Sequence, residues 1–250
     1  DETVTITFPE GKNMRWIAST ISEKTNNSKN QVYELLSDEE YLDTLIDKYW
    51  FIDDDIKDKD IYYSLEGYLY PDTYIFEDKN VDVKTIFEKM LDKMDAVLTP
   101  YKDEIKKSDY SVHEILSLAS VVELEAKNEE DRAGVADVFI NRLNKNMALQ
   151  SDVTTYYALK IDMSERDLTA NELATQNPYN TRSTTMNGKI PVGPICMVSE
   201  SSIKAVLEHD DTDNLFFVAD KNGKVYFSKT NTEHEKKIKE LKDSGLWFTY

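Results

Sequence analysis

Carboxylates carry most of the chemistry open to this sequence. Its 250 residues include three histidines and one cysteine. His113, His209 and His234 stand nowhere at metal-ligand spacing from one another, and no glycine-rich phosphate loop or Ser-His-Asp spacing is present. The lone Cys196 rules out an internal disulfide and a cysteine zinc cage. The residues therefore predict neither a metal nor a cofactor. Of the 48 acidic side chains, most are expected on a solvated surface. One departs from that pattern. In Leu116–Ala126 (LSLASVVELEA), Glu123 falls at ~20° from Val112 on a helical wheel of ~100° per residue, between Leu116 and Ala119. It lies inside the apolar stripe, whereas Glu125 and Glu114 lie on the stripe's far edge, toward solvent. A carboxyl among apolar neighbours loses hydration of its charged form, so its pKa rises, as a general acid near neutral pH requires. The alternative is a buried glutamate satisfied by backbone or by an arginine.

That stripe needs a helix, and the flanking sequence supplies the elements to hold it. Ser111–Lys127 reads as an apolar helix. Before it, Val81–Leu98 is amphipathic and ends at Pro100; after it, Asn128 caps a helix with Glu129, Glu130 and Asp131 in its first turn and Arg142 and Lys145 near its end. Upstream, Val4–Phe8 alternates as a strand and turns at Pro9-Glu10-Gly11. Asn13 caps a helix with Ile17, Ala18 and Ile21 on one face, and Ser28 with Gln31 and Ser37 with Glu40 open two more. Asp53–Asp60 reads as a solvated acidic loop, and Ser64–Phe76 as an aromatic stretch bent at Pro71-Asp72. Two strands around two or three short helices make the first 78 residues a small α+β unit. Downstream come a Pro- and Gly-punctuated loop over Asn177–Pro194 and a helix near Ser199–Glu208. A hairpin follows around Lys221-Asn222-Gly223, then a last helix from about Thr232, boxed by Glu235 and stopped at Gly245. The fold class is α+β throughout.

Composition limits the partners. Hydrophobic residues make up 40% of the chain, enough for a core, and the net charge is −18. That charge disfavours nucleic acid, which needs clustered Lys and Arg. No run approaches the ~18 apolar residues of a membrane span. The chain opens on Asp1, which reads as the start of a trimmed segment with a removed signal or anchor possible upstream.

Seven segments, in order, carry a resemblance: Leu65–Tyr74 (LEGYLYPDTY), Leu118–Glu125 (LASVVELE), Val138–Leu143 (VFINRL), Leu149–Asp152 (LQSD), Asn177–Thr181 (NPYNT), Ile190–Ile195 (IPVGPI) and Phe227–His234 (FSKTNTEH). Through them the chain resembles the YceG/MltG family of endolytic murein transglycosylases over nearly its whole length. It departs at Val225, where that family usually has histidine, and at Ile190-Pro191-Val192-Gly193, where Leu-Pro-Pro-Gly is usual. The resemblance implies a LysM-like α+β subdomain over residues 1–78 and a larger α+β catalytic domain over 79–250.

It also implies a lyase that cuts the β-1,4 bond between N-acetylmuramic acid and N-acetylglucosamine without water, leaving 1,6-anhydro ends, and so trims or terminates nascent glycan strands. The family's catalytic glutamate is assigned to Glu123. Gln150, Asp152, Asn180 and Thr181 are the expected donors and acceptors for sugar groups; Tyr156 and Tyr179 offer stacking faces or core packing. Gly193 and Pro194 are expected to shape a groove wall, His234 to cap, pack or touch substrate, and Glu66 to reach the site or lie on an edge strand. The implied partners are peptidoglycan strands and cell-wall synthases, penicillin-binding proteins among them. The implied location is the extracytoplasmic face of a bacterial membrane, on a single-pass anchor before Asp1. Two rival readings keep the fold: a non-catalytic peptidoglycan-binding scaffold, and a hydrolase in which Asp152 or Glu125 activates water.

Overall fold

The computed structural model describes residues 2–248, which form mixed helix and sheet with two small antiparallel sheets. Two compact units divide the chain: residues 1–120 with 192–200, and residues 121–191 with 201–250.

In the first unit, β1 (Val4–Thr7) pairs antiparallel with β2 (Thr73–Phe76), Val4 opposite Phe76 and Thr7 opposite Thr73. Alternation turns Val4, Ile6, Tyr74 and Phe76 inward and leaves the threonines and Ile75 outside. Between the strands run α1 (Met14–Lys24), α2 (Lys29–Leu36) and α3 (Glu39–Lys48). The Asn13 carboxamide accepts from Trp16 N–H at 3.1 Å, and Ser28 and Gln31 close the expected capping box. At α3 the cap falls one residue later than expected. Asp38 accepts from Tyr41 N–H at 3.1 Å, while Ser37 ends α2. The acidic stretch 53–60 is not a bare loop; it contains a single 3₁₀ turn, Asp54–Lys57, pinned by the fully buried Ile56. Next come α4 (Val83–Leu98) and α5 (Lys102–Lys107), with Pro100 inside the 3₁₀ turn that joins them.

Residues 192–200 return to this first unit. Met197 exchanges backbone bonds with it, Gly11 N–H to Met197 O at 2.9 Å and Met197 N–H to Lys12 O at 2.8 Å. Gly67 sits at φ +82° with no room for a side chain, since a Cβ there would lie 2.1 Å from Pro194 Cβ. His113 donates and accepts at once, its Nε2 2.8 Å from Val192 O and its Nδ1 2.6 Å from the Tyr68 hydroxyl. With Nε2–H given to the carbonyl, Nδ1 accepts from Tyr68.

Helix α6 (Val112–Glu125) runs from the first unit into the second. Then follow α7 (Glu129–Asn144), α8 (Asp152–Leu159), the short α9 (Ala170–Leu173), α10 (Glu200–Leu207), the hairpin β3 (Phe216–Ala219) with β4 (Val225–Ser228), and α11 (Asn231–Asp243). The hairpin loop is longer than a two-residue turn. Asp220 accepts from Asn222 and Lys224 N–H, and Gly223 takes φ +85°. The last helix starts two residues before its expected position, because Thr230 rather than Thr232 caps it, bonding Glu233 N–H at 3.2 Å. Among the described residues no helix is long and apolar enough to cross a membrane.

Gly67→Ala combines a left-handed backbone with a blocked Cβ. It should destabilise the protein by roughly 2–4 kcal/mol, read as a lower urea midpoint at unchanged slope.

Candidate active site

Two glutamates near the end of α6 point to different fates. Glu123 is 8% exposed, as the apolar stripe predicts, and its carboxylate is taken up by the protein. Its Oε2 pairs with Arg132 Nη2 at 3.0 Å, and its Oε1 accepts from Ser202 Oγ at 3.0 Å. Arg132 also gives its Nε–H to Ala126 O at 3.1 Å. This knot joins α6, α7 and α10 within the second unit. Of the alternatives the sequence left open, an arginine-satisfied buried acid describes its surroundings.

Glu125, two residues on, turns the other way. It is half-buried and lines a cavity of about 870 Å³ in the second unit. The sequence placed it toward solvent; instead it meets a concave wall. Burial pushes its carboxyl pKa above the ordinary value. Asp152 adds to the rise, while the Ser151 hydroxyl and Arg182 oppose it. Ser151 Oγ donates to Glu125 Oε1 at 2.5 Å. Ser151 stands at the N-cap of α8, where a serine usually accepts from the helix's own N–H groups, yet it makes no such bond. The cap hydroxyl is diverted to Glu125.

The wall around it comes from residues just before and within α8. Gln150 is exposed in a left-handed conformation, φ +56°, and lines the cavity with Asp152, whose carboxylate pairs with Arg182. Tyr156 lines it too, its hydroxyl bonded to Arg166 O at 2.8 Å. His234, from α11, faces the same space and stacks on Phe216 at 5.2 Å; burial lowers its pKa below the usual histidine value. The Arg142 guanidinium lies 4.9 Å from the Phe216 ring centre and bonds Leu215 O and Ala148 O.

The remaining expected site residues lie elsewhere. Tyr179 is fully buried with its ring 4.9 Å from that of Tyr157, which is core packing rather than a stacking face. Asn180 and Thr181 are also fully buried, and their polar atoms serve the protein. Asn180 accepts from Thr155 Oγ1 at 2.7 Å and donates to Leu173 O and Thr175 O. Thr181 accepts from Ser151 N–H at 2.9 Å, exchanges a 2.8 Å bond with Thr154, and takes Gln150 N–H on its carbonyl. Thr181 therefore positions Gln150 and Ser151 from behind, while Asn180 ties α8 at Thr155 to the carbonyls of Leu173 and Thr175. Gly193 and Pro194 are buried in the first unit beside Ile61, His113 and Gly67. Glu66 is in that unit as well. It is not an edge-strand surface charge: it is 1% exposed, and its Oε1 accepts Met14 N–H at 2.9 Å.

The helical wheel singled out Glu123 as the acid inside the apolar stripe and kept Glu125 only as a water activator; in the structure the stripe acid is held by Arg132 and Ser202, and Glu125 lies on the cavity wall. A usable signal was present. Glu125 ends α6, where the helix dipole disfavours a carboxylate, and it is followed within the chain by a Gln-Ser-Asp segment rich in hydroxyl and amide donors.

Comparisons with known proteins agree with this architecture. The model of the YceG-like family matches residues 1–240. An endolytic murein transglycosylase of Bacillus subtilis is 39% identical over 92% of this chain and 63% of its own length. One from Streptococcus pneumoniae serotype 2 is 33% identical over 97% of this chain and 45% of its own length. The chain thus spans about half to two thirds of these curated relatives. A 2.6 Å crystal structure of a YceG-like protein from Listeria monocytogenes superposes with a TM-score of 0.86 at 38% identity, covering 93% of this chain and 75% of that one. With the family model spanning nearly every described residue and a solved member of the same fold, this chain belongs to the YceG-like family.

Proposed function

We propose that the chain is the glycan-cleaving part of an endolytic peptidoglycan lytic transglycosylase, and that its acid is Glu125 rather than Glu123. The observation that carries the reading is the desolvated Glu125 carboxyl on the cavity wall, in contact with Ser151 and near Asp152. Curated relatives named for this activity support it and weigh against a non-catalytic scaffold. Glu123, by contrast, has both oxygens committed to Arg132 and Ser202.

The chemistry needs one carboxyl that can give and take a proton. Protonated Glu125 donates to the glycosidic oxygen as the bond from muramic C1 breaks and an oxocarbenium-like centre develops. The resulting carboxylate takes the proton of the muramic C6 hydroxyl, whose oxygen closes on C1 to form the 1,6-anhydro ring. Atoms balance without water, and Glu125 ends protonated. An ordinary glycosidase needs a second carboxylate for a nucleophile or a water. Ser151 and Asp152 flank the acid; Gln150 and Tyr156 offer polar groups to the sugar from the same wall.

On this reading the chain works outside the cytoplasmic membrane, where peptidoglycan lies, on strands supplied by cell-wall synthases, with residues 1–78 as a LysM-like glycan-contacting subdomain. One observation favours a second reading. Asp152 lines the same cavity, so it could activate a water and make the enzyme a hydrolase.

Mass spectrometry of digested peptidoglycan separates the readings. Fragments ending in 1,6-anhydromuramic acid are expected, absent with Glu125→Gln; reducing ends lost equally in Asp152→Asn would favour the hydrolase. Cleavage by Glu125→Gln at the wild-type rate would end the assignment of the acid.

Stability distinguishes the two glutamates independently. Glu123→Gln removes one charge from a buried ion pair and should cost roughly 3 kcal/mol in chemical denaturation, whereas Glu125→Gln should cost less than about 1 kcal/mol.

The raised Glu125 pKa also fixes a sign. The folded state holds this proton above the pH at which an unfolded glutamate releases it, so the wild type loses stability as pH rises from about 4.5 through the folded value. The stability of Glu125→Gln relative to wild type should rise across that window, and wild-type kcat/KM should fall as the acid form is lost.

A further inference from the structure

The second unit holds two buried arginines on one helix, and their surroundings differ. Arg132 and Arg142 both lie in α7, each 7% exposed. Arg132 has a carboxylate, that of Glu123, at 3.0 Å. Arg142 has none within ion-pair distance among the described residues, in a chain of 48 acidic side chains against 30 basic ones. A buried cation without a counter-charge is costly. Burial, and after it the charge of Arg182, pushes the Arg142 pKa below the ordinary arginine value. A guanidinium nonetheless stays protonated at any physiological pH.

The Arg142 guanidinium is fixed in place. Its Nε–H goes to Leu215 O at 2.7 Å, its Nη1–H to Ala148 O at 2.9 Å, and the group lies 4.9 Å from the Phe216 ring centre. Nη2 makes no hydrogen bond among the described residues, and Arg142 lines the cavity that holds Glu125. Glu125, Asp152 and Glu235 line the same cavity, yet none of them pairs with Arg142. Asp152 is taken by Arg182, and Glu125 by the Ser151 hydroxyl. The result is a preorganised donor whose positive charge has no partner, in a concave site.

We propose that Arg142 anchors an anion subsite in the Glu125 cavity, binding a carboxylate carried by the muramic residue of the glycan. The inference rests on the function proposed above and names what that site reads in its substrate. N-acetylglucosamine and N-acetylmuramic acid differ only in a lactyl ether, which ends in a carboxyl group. In a peptide-free strand that carboxyl is free. In a stem-bearing strand it is an amide, and the carboxylates sit farther out on the peptide. A guanidinium in the same cavity as the acid therefore sets which of the two alternating bonds is presented for cleavage. An uncharged sugar would leave the guanidinium without a counter-charge, and a densely charged polyanion would meet the chain's net charge of −18. Arg142 acts in register and specificity, while proton transfer stays with Glu125.

Titration calorimetry on the full chain tests this, with Glu125→Gln as a background that does not turn over. Three tetrasaccharides of alternating N-acetylglucosamine and N-acetylmuramic acid are compared: one with free lactyl carboxylates, one with these capped as methylamides, and one bearing stem peptides. Binding of the free acid about 10-fold tighter than the capped form identifies the lactyl carboxylate as the occupant. The same advantage for the stem-bearing form alone identifies a stem carboxylate. Adding Arg142→Gln should remove the advantage and leave binding of the capped form unchanged, a split that a merely structural role would not give. If Arg142→Gln does not fold, the Arg142 guanidinium nitrogen resonances of the Glu125→Gln chain serve instead. They should move with the carboxylate-bearing ligand and stay still with the capped one. Equal binding of all three forms, an advantage that survives in folded Arg142→Gln, or resonances indifferent to the carboxylate would overturn the subsite; cleavage of peptidoglycan by the wild type would then leave the enzyme reading intact. No binding of any form, with no cleavage by the wild type, would overturn the enzyme reading and the subsite with it.

Discussion

The buried pair of Glu123 and Arg132 governs what the second unit can do. Its two charges come from consecutive helices, and Ser202 adds a third helix to the knot. Such a pair adds little net stability over well-packed apolar residues, because desolvating both ions offsets most of their attraction. What it supplies is geometry. Arg132 also holds Ala126 O, so the last turn of α6 and the start of α7 are fixed together. Glu125 lies between those two anchor points. On the proposed reading, a carboxyl that meets a reacting oxygen within a few tenths of an ångström needs that kind of support.

The segment before α8 is held with the same economy. Gln150 adopts a left-handed backbone, Ser151 gives up its usual capping bond, and the pair is supported from behind by buried Thr154 and Thr181. Each local departure from preference has a cost of about 1 kcal/mol. Two such departures meeting on one polar cavity are what a site under functional constraint shows.

Much of the fold was legible in the sequence, for reasons that can be named. The caps at Asn13 and Ser28 and the apolar stripes of α1, α4 and α6 depend on neighbours three or four residues away, and each was found where expected. Shifts of one or two residues occurred where two capping residues compete, Asp38 with Ser37 and Thr230 with Thr232. The site was harder to read. Burial of Glu123 follows from the wheel, but its partner Arg132 and the cavity beside Glu125 depend on how α6, α7, α8 and α11 pack, which no local pattern encodes. Asn180 shows the same limit: a polar side chain in a Pro-rich stretch suggests contact with ligand, yet it lies wholly inside, while Tyr179 follows its core-packing alternative.

The return of residues 192–200 to the first unit bears on how this molecule comes into being. Gly67 accepts Pro194 against its bare α-carbon, and Met197 completes backbone bonds at Gly11 and Lys12. These contacts join positions separated by well over a hundred residues, and closing so long a loop is slow compared with local helix formation. As the chain leaves the ribosome, its first 120 residues are exposed well before the strap that finishes them has been made. The early segment has to wait, open, for a piece made long after it, and the second unit, which includes residues 201–250, is completed later still.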